Sequence, residues 1–277
     1  MIFISKFVNI LRTIKVVIAQ KQPVISKLNL IFDYLKCVVF RRIYDKNQSF
    51  NLTHFKINYS VYGGFEYAFT DIFINNDYWF KTNNESPFII DCGSNIGLSV
   101  LYFKALYPKA KIIGFEPDYD AYKCLETNVK QNNLSDVLTH NKALALTEST
   151  LKLSYDENRP GSITSTTEDI TSVSYREVPA VKLSTYIDEP VDFLKMDIEG
   201  AENSVFEELH QSGKLKLIKH IILEYHHHIG SKKDCLSSVL HILEENNFSY
   251  QMISSFSNSN PIDTPQLIMI HCLRNIR

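Results

Sequence analysis

The chain has 277 residues, a formal net charge of −2, 44% hydrophobic and 22% charged residues, a composition that can bury a sizeable core without disulfides or metal. Nine glycines and nine prolines exclude collagen-like and low-complexity repeats, and the near-neutral charge argues against a general nucleic-acid binder. The five cysteines, Cys37, Cys92, Cys124, Cys235 and Cys272, are odd in number and form no C-x-x-C, which speaks against a disulfide framework or zinc ribbon and for a reducing, cytoplasmic setting.

Charge is uneven along the chain: residues 1–60 carry ten Lys/Arg against two Asp/Glu, and the remainder is acidic. In MIFISKFVNILRTIKVVIAQ the apolar run is broken by Lys6, Arg12 and Lys15, and Lys21 follows, so no stretch reaches the ~18 apolar residues of a spanning helix. A clean signal-peptide pattern is absent too. Phe7, Leu11, Ile14 and Ile18 recur at helical spacing up to a break at Gln22-Pro23, and a second periodic run covers Ile25 to Phe40. Residues 1–45 therefore read as a basic helical extension. It either lies on an anionic membrane surface, as a peripheral contact at the inner face, or docks on the main domain and leaves its lysines solvated.

Residues 46–86 read as an accessory or lid region of irregular strands, with FKINYSVY alternating and Gly63-Gly64 as punctuation. Its aromatic residues Tyr67, Tyr78 and Trp79 are either ordinary packing or walls of an acceptor pocket.

From Pro87 to the C-terminus, apolar runs alternate with helical stretches. Strands are predicted at 88–90, 111–115, 191–196 and 217–225, with two last ones near 248–253 and 266–272. Helices are predicted at 96–106, 119–131, 201–209 and 235–245. Residues 137–145 read as extended. The Ser/Thr-rich segment 150–181, holding Gly161 and Ser162, reads as a hairpin-like insertion, and 254–260 as a polar loop. Strands alternating with helices predict an α/β domain at 87–277, with a mostly parallel sheet covered on both faces.

The stretch Phe88-Ile89-Ile90-Asp91-Cys92-Gly93-Ser94-Asn95-Ile96-Gly97 ends a strand on an acid and brackets the entry to a helix with glycines. Ligands of open parallel sheets sit at such strand ends. Gly93 permits close backbone approach, and the helix-start N–H groups favour a carboxylate. Asp91 suits an ammonium group, directly or through water, and Glu116, at the tip of the next strand, suits ribose hydroxyls. An amino-acid end plus a nucleoside end describes S-adenosylmethionine. A nicotinamide dinucleotide shares the ribose acid but usually wants G-x-G-x-x-G, which position 95 breaks.

FIIDCGSNIGLS, IIGFEP, FLKMDIEGAE and ILEYHH, in this order and spacing, resemble the FkbM family of S-adenosylmethionine-dependent methyltransferases over about residues 60–253. Ser94 replaces a commoner alanine; the K-x-D-x-E-G-x-E run is intact. The resemblance implies the Rossmann-like, seven-stranded sheet of class I methyltransferases. By the same analogy Asp91, Gly93 and Gly97 hold the methionine end and Asn95 shapes the turn. Glu116 takes ribose, Pro117 lies against adenine, and Asn141 to Ala143 flank the adenine edge.

In Val191–Glu202, Phe193, Lys195 and Asp197 share one strand face, and a lysine buried there needs an acid such as Asp197. Glu199 and Glu202 fall near the positive end of the following helix. The next strand presents Glu224 and His226 on one face. Together these tips form an acidic patch for an acceptor hydroxyl of a sugar, glycan or similar small metabolite. His226 is the expected general base from its unperturbed pKa, Asp197 is the alternative, and Lys195 orients an acid or substrate oxygen. The run His226-His227-His228 does not suit a single ion on a strand. Asp197 and Glu224 could share Mg²⁺, though the resemblance requires no metal. Two other readings stay open, a nucleotide-dependent oxidoreductase and a non-catalytic membrane-surface module.

Overall fold

In the computed structural model, residues 2–21, 23–155, 174–227, 235–254 and 266–275 are described. Two helices, α1 (Ile2–Ala19) and α2 (Lys27–Val39), open the chain, joined through Pro23 as the spacing predicted. Ser26 caps α2 by accepting the Asn29 N–H at 3.3 Å. A short helix α3 (Arg41–Asn47) and an antiparallel ribbon of β1 (Ser49–Asn51) and β2 (Lys56–Asn58) follow.

The next segment departs from the expected strands. Residues Tyr62–Phe69 form α4, which runs on as a π-helical turn, Thr70–Asn75. Gly63 and Gly64 sit in its first turn instead of breaking a hairpin. What favours the helix is an aromatic ladder at spacing four: Phe65, Phe69 and Phe73 stack at 6.0 and 5.7 Å, and Phe73 meets the edge of Tyr102 at 5.4 Å.

The main domain then alternates as predicted. The elements are β3 (Phe88–Cys92), α5 (Leu98–Leu106), β4 (Lys111–Phe115), α6 (Tyr119–Gln131), β5 (Val137–His140), β6 (Ala143–Leu144), β7 (Ser149–Tyr155), β8 (Ser174–Val181), β9 (Val191–Met196), α7 (Glu202–Gln211), β10 (Ile218–His227), α8 (Leu236–Glu245), β11 (Phe248–Ser254) and β12 (Gln266–Arg274). Seven strands form one sheet in the order β11-β12-β10-β9-β3-β4-β5. Only β12 runs against its neighbours β10 and β11. This is the seven-stranded, mostly parallel α/β sheet that the resemblance implies. The arms of the inserted hairpin, β7 and β8, pair antiparallel and form a second small sheet with β6. Ser162 and the hairpin tip lie outside the described residues.

Strand parity separates two cores. Leu194, Ile221 and Leu223 point to one face, packed by Val205, Leu209 and Val239 of the C-terminal helices. Ile89, Phe193 and Ile222 point to the other and share a single core with Val17, Phe65 and Phe80. Phe80 stacks on Phe193 with centroids 4.1 Å apart. Residues from Val17 onward thus cover one sheet face. The sheet order reverses at β3, whose neighbours are β4 and β9. The crevice beyond its carboxyl end is where such sheets place ligands.

Candidate active site at the strand tips

The turn after β3 is built by backbone close approach. Gly93 has φ +83°, and a Cβ there would stand 1.7 Å from the Asp197 carbonyl oxygen, so the tips of β3 and β9 meet only over a glycine. The N–H groups of Gly93 and Ser94 both donate to Phe115 O, at 3.0 and 2.9 Å, tying the turn to β4. Ser94 Oγ donates to Asp91 O at 3.0 Å and fits because position 114 is glycine; a Cβ at 114 would lie 2.7 Å from that Oγ. Asn95 does shape the turn. It takes a left-handed conformation, φ +47°, and its Oδ1 accepts the Ile96 N–H at 2.7 Å. Gly97 starts α5 with φ +89° against Leu125 of α6.

Glu116 is 1% exposed. Its Oε2 accepts the Asn95 N–H at 2.7 Å and its Oε1 the Asp118 N–H at 2.8 Å. Burial pushes its pKa up to about 8 against these two bonds. The acid assigned to ribose therefore also clips the glycine turn to the β4–α6 loop. Each oxygen keeps a further lone pair for a hydroxyl donor. Asn141 Nδ2 donates to Glu116 O and Pro117 O at 2.9 and 3.0 Å. Pro117, Asn141, Arg176 and Val178 line a cavity of about 310 Å³. Ala143 is not among its lining residues; it is buried in β6 against Val178 and Ala180. The reason is register, since β6 leaves the main sheet to pair with β8.

Lys195 lies at the centre, 3% exposed. Its Nζ donates to Gly93 O at 2.6 Å and to Asp197 Oδ2 at 3.3 Å, and stands 3.4 Å from Asp91 Oδ1. Burial disfavours the ammonium, but the charges of Asp197 and Asp91 outweigh it and hold the pKa above the ordinary lysine value. Asp91, wholly buried, accepts from Ser99 Oγ at 2.5 Å through Oδ2, while its Oδ1 receives no hydrogen bond. The ammonium that the sequence reading placed on Asp91 from a ligand is thus already supplied in part by Lys195. Tyr78 reaches across from the N-terminal region, its hydroxyl 3.5 Å from Asp197 Oδ2 and its ring 5.1 Å from Lys195 Nζ. Trp79, in contrast, packs against the core.

His226 is surrounded by carboxylates. Its Nδ1 lies 2.8 Å from Glu202 Oε1, and its Nε2 lies 3.3 Å from Glu199 Oε2 and 3.9 Å from Asp197 Oδ1. Burial lowers its pKa. The Glu202 hydrogen bond and the charges of Glu199, Glu202 and Asp197 overcome that and raise it to about 9. That direction favours the imidazolium over the neutral imidazole. The group held near neutrality is Glu224, raised to about 7 by burial and then by Asp197. Glu199, in a left-handed turn with φ +52°, is raised by burial as well. Tyr67 stands close enough for Glu224, after burial and Asp71, to help raise its hydroxyl to about 12. With its imidazole deprotonated, His226 offers a ligand atom alongside Asp197 and Glu199, all three atoms within 4.8 Å of one another. His228 lies outside the described residues.

Glu202 is the residue sequence reading undervalued. It reads as an ordinary helix-start acid, yet it is 1% exposed and accepts from Gly200 N–H at 3.0 Å while holding His226. Its signal was the paired spacing of an acid after E-G and a histidine at the next strand's tip. A histidine whose folded pKa exceeds its unfolded value adds stability below about 6.5 that is lost as pH rises through about 9. An NMR titration of His226 is expected to show a midpoint near 9, falling markedly in Glu202→Gln. A wild-type midpoint at or below 6.5 contradicts the arrangement.

The site's sequence has relatives. A family described as "Methyltransferase FkbM domain" matches residues 91–250. "Methyltransferase 1" of Beauveria bassiana (strain ARSEF 2860) is 30% identical over 181 residues, 57% of this chain and 72% of that protein. "Methyltransferase sdnD" of Sordaria araneosa is 30% identical over 192 residues, 57% of this chain and 74% of that one. Among solved structures, Methyltransferase FkbM from Methylobacillus flagellatus KT aligns at 16% identity and TM-score 0.46, over 69% of this chain and 45% of that one, so this chain spans under half its length. M. jannaschii TYW2 in complex with AdoMet aligns at 14% identity and TM-score 0.44, over 80% and 82%.

Proposed function

Because the chain belongs to the FkbM methyltransferase family, we propose that it moves a methyl group from S-adenosylmethionine to a hydroxyl of a sugar, glycan or similar neutral metabolite. Membership in that family removes the oxidoreductase and the non-catalytic readings. The cofactor, when bound, supplies a methyl group on a positively charged sulfur, already joined to an excellent leaving group. The residues present suit such a molecule. Gly93 and Gly97 offer bare backbone, Asp91 Oδ1 is a buried acceptor with no hydrogen bond, and Glu116 retains acceptor capacity. In this reading Asp91, Gly93, Asn95 and Gly97 hold the amino-acid end, Glu116 the ribose, and Pro117 with Asn141 the adenine.

The observation that carries the reaction is the meeting of β9 and β10 tips beside that turn, with Glu224 held near pKa 7. An acid tuned there can accept the proton of an alcohol as it is methylated, and alignment supplies most of the remaining rate. Asp197, fixed by Lys195 and Tyr78, orients the hydroxyl, and the His226 imidazolium keeps the patch from excessive negative charge. Asp91, Asp197, Glu199, Glu202 and Glu224 outnumber Lys195 and His226, which favours a polyhydroxyl acceptor over a phosphate or nucleic acid.

The test is a labelled-methyl assay against cell extract and a panel of sugars and polyols. A product methylated on nitrogen or carbon overturns the oxygen assignment. Calorimetry on Glu116→Ala tests the cofactor half. Measured above pH 8, where Glu116 is ionised, loss of hydrogen bonds to this charged acceptor should weaken S-adenosylmethionine binding roughly tenfold to a hundredfold. The thermal midpoint should fall too, since the Asn95 and Asp118 N–H groups lose their acceptor. Unchanged affinity contradicts the ribose assignment.

A further inference from the structure

The basic extension has an outer face that nothing among the described residues covers. On α2, Leu28 is 81% exposed, Phe32 60% and Val39 64%. Spacings of four and seven put them on one stripe. The stripe continues into Phe40, between α2 and α3, and Ile43 of α3, 48% and 56% exposed, and Ile18 at the end of α1 is 59% exposed. Ile18 lies beside this face, because Lys27 Nζ donates to its carbonyl. The opposite side of α2 is the docked one: Leu30, Tyr34 and Cys37 are buried in the core. The extension is therefore docked through one face and apolar on the other.

The exposed apolar residues are concentrated here. Of 19 large hydrophobic side chains exposed among the described residues, nine lie between Val8 and Ile43. A contiguous exposed apolar patch marks an interaction surface. The surrounding charge says which kind. Arg12, Lys15, Lys21 and Lys46 are exposed in the same segment, and of its two acids, Asp33 and Asp45, Asp33 is buried and paired with Lys36 at 2.7 Å. No helix among the described residues is long and apolar enough to cross a membrane.

We propose that this face is a peripheral docking surface for an anionic lipid bilayer. The α2 stripe enters the interface between headgroups and acyl chains, and the basic residues meet the headgroup charge. Apolar burial and cationic attraction act together in such helices, each basic residue near the surface contributing measurably. A second copy of the chain fits the apolar stripe less well, since two basic faces would repel.

The experiment is co-sedimentation of the full-length protein with vesicles of phosphatidylcholine alone and of phosphatidylcholine with phosphatidylserine. Binding is expected only to the latter, and should weaken as salt rises. Phe32→Glu combined with Val39→Glu should lower partitioning by about 30-fold or more. Arg12→Glu combined with Lys15→Glu should lower it by at least about tenfold and flatten the salt dependence. Both pairs are exposed and lie far from the strand tips in sequence, so melting curves and S-adenosylmethionine affinity should match the wild type and exclude misfolding. Absence of vesicle binding overturns the proposal, as does equal binding to uncharged vesicles. Lipid-free dimerisation in sedimentation velocity, abolished by the Phe32/Val39 pair, also overturns it and assigns the face to a second copy.

Discussion

Glu224→Gln is expected to cut the turnover number by about 10²–10⁴-fold, the usual contribution of a positioned general base. The affinity for S-adenosylmethionine should stay within about threefold, since the substituted side chain keeps its size and sits on the acceptor side. The argument is electrostatic. Glu224 is buried beside Asp197, and both effects raise its pKa to about 7. A carboxylic acid of ordinary pKa is a weak base for an alcohol; one tuned to neutrality is matched to it. The wild-type rate should therefore rise with pH through about 7 as Glu224 loses its proton, and this limb should vanish in Glu224→Gln. His226→Gln should not remove that limb. It removes the positive charge that lowers Glu224, so the limb should move to higher pH. If instead His226→Gln abolishes turnover and Glu224→Gln leaves it unchanged, the roles are reversed and the imidazole is the base after all.

This division of roles was only half legible in the sequence. Buried strands announce themselves by short apolar runs, and residues 111–115 and 191–196 fall where those runs predict. Period two alone placed Lys195 and Asp197 on one face, and Glu224 and His226 on another. Their meeting followed from strand adjacency, which β9 and β10 satisfy. The protonation state was not legible, because His226 is charged by Glu199, Glu202 and Asp197, contributed by a different strand tip and helix start. The helix at 62–75 was missed for a local reason. Two glycines and alternating residues before it imitate a hairpin, while the Phe65–Phe69–Phe73 ladder acts only once it meets Tyr102 of α5. Tyr78 was ambiguous for the same cause: its reach to Asp197 exists only because Phe80 anchors that segment on Phe193.

Lys195→Met tests the charge balance beneath the site. Methionine retains most of the lysine's length, so the substitution removes the ammonium with little loss of volume. What remains is Asp91, wholly buried, and Asp197, a quarter exposed, both without their shared ammonium, and a Gly93 carbonyl that has lost its donor. Breaking a buried pair by deleting one partner costs about 3–5 kcal/mol, because the other charge is left uncompensated. A urea melt should show that loss in midpoint with an unchanged slope. The two acids should not be equivalent in rescue. Adding Asp91→Asn neutralises the group that cannot reach water and should recover much of the stability. Adding Asp197→Asn should recover little, since solvent already screens that carboxylate. Equal rescue by both would mean that the crevice is wetter than its burial implies. A Lys195→Met loss below about 1 kcal/mol would mean that the lysine is not the counter-ion of Asp91. In that event the ammonium end of the cofactor, and not the chain's own lysine, would have to neutralise the acid at the tip of β3.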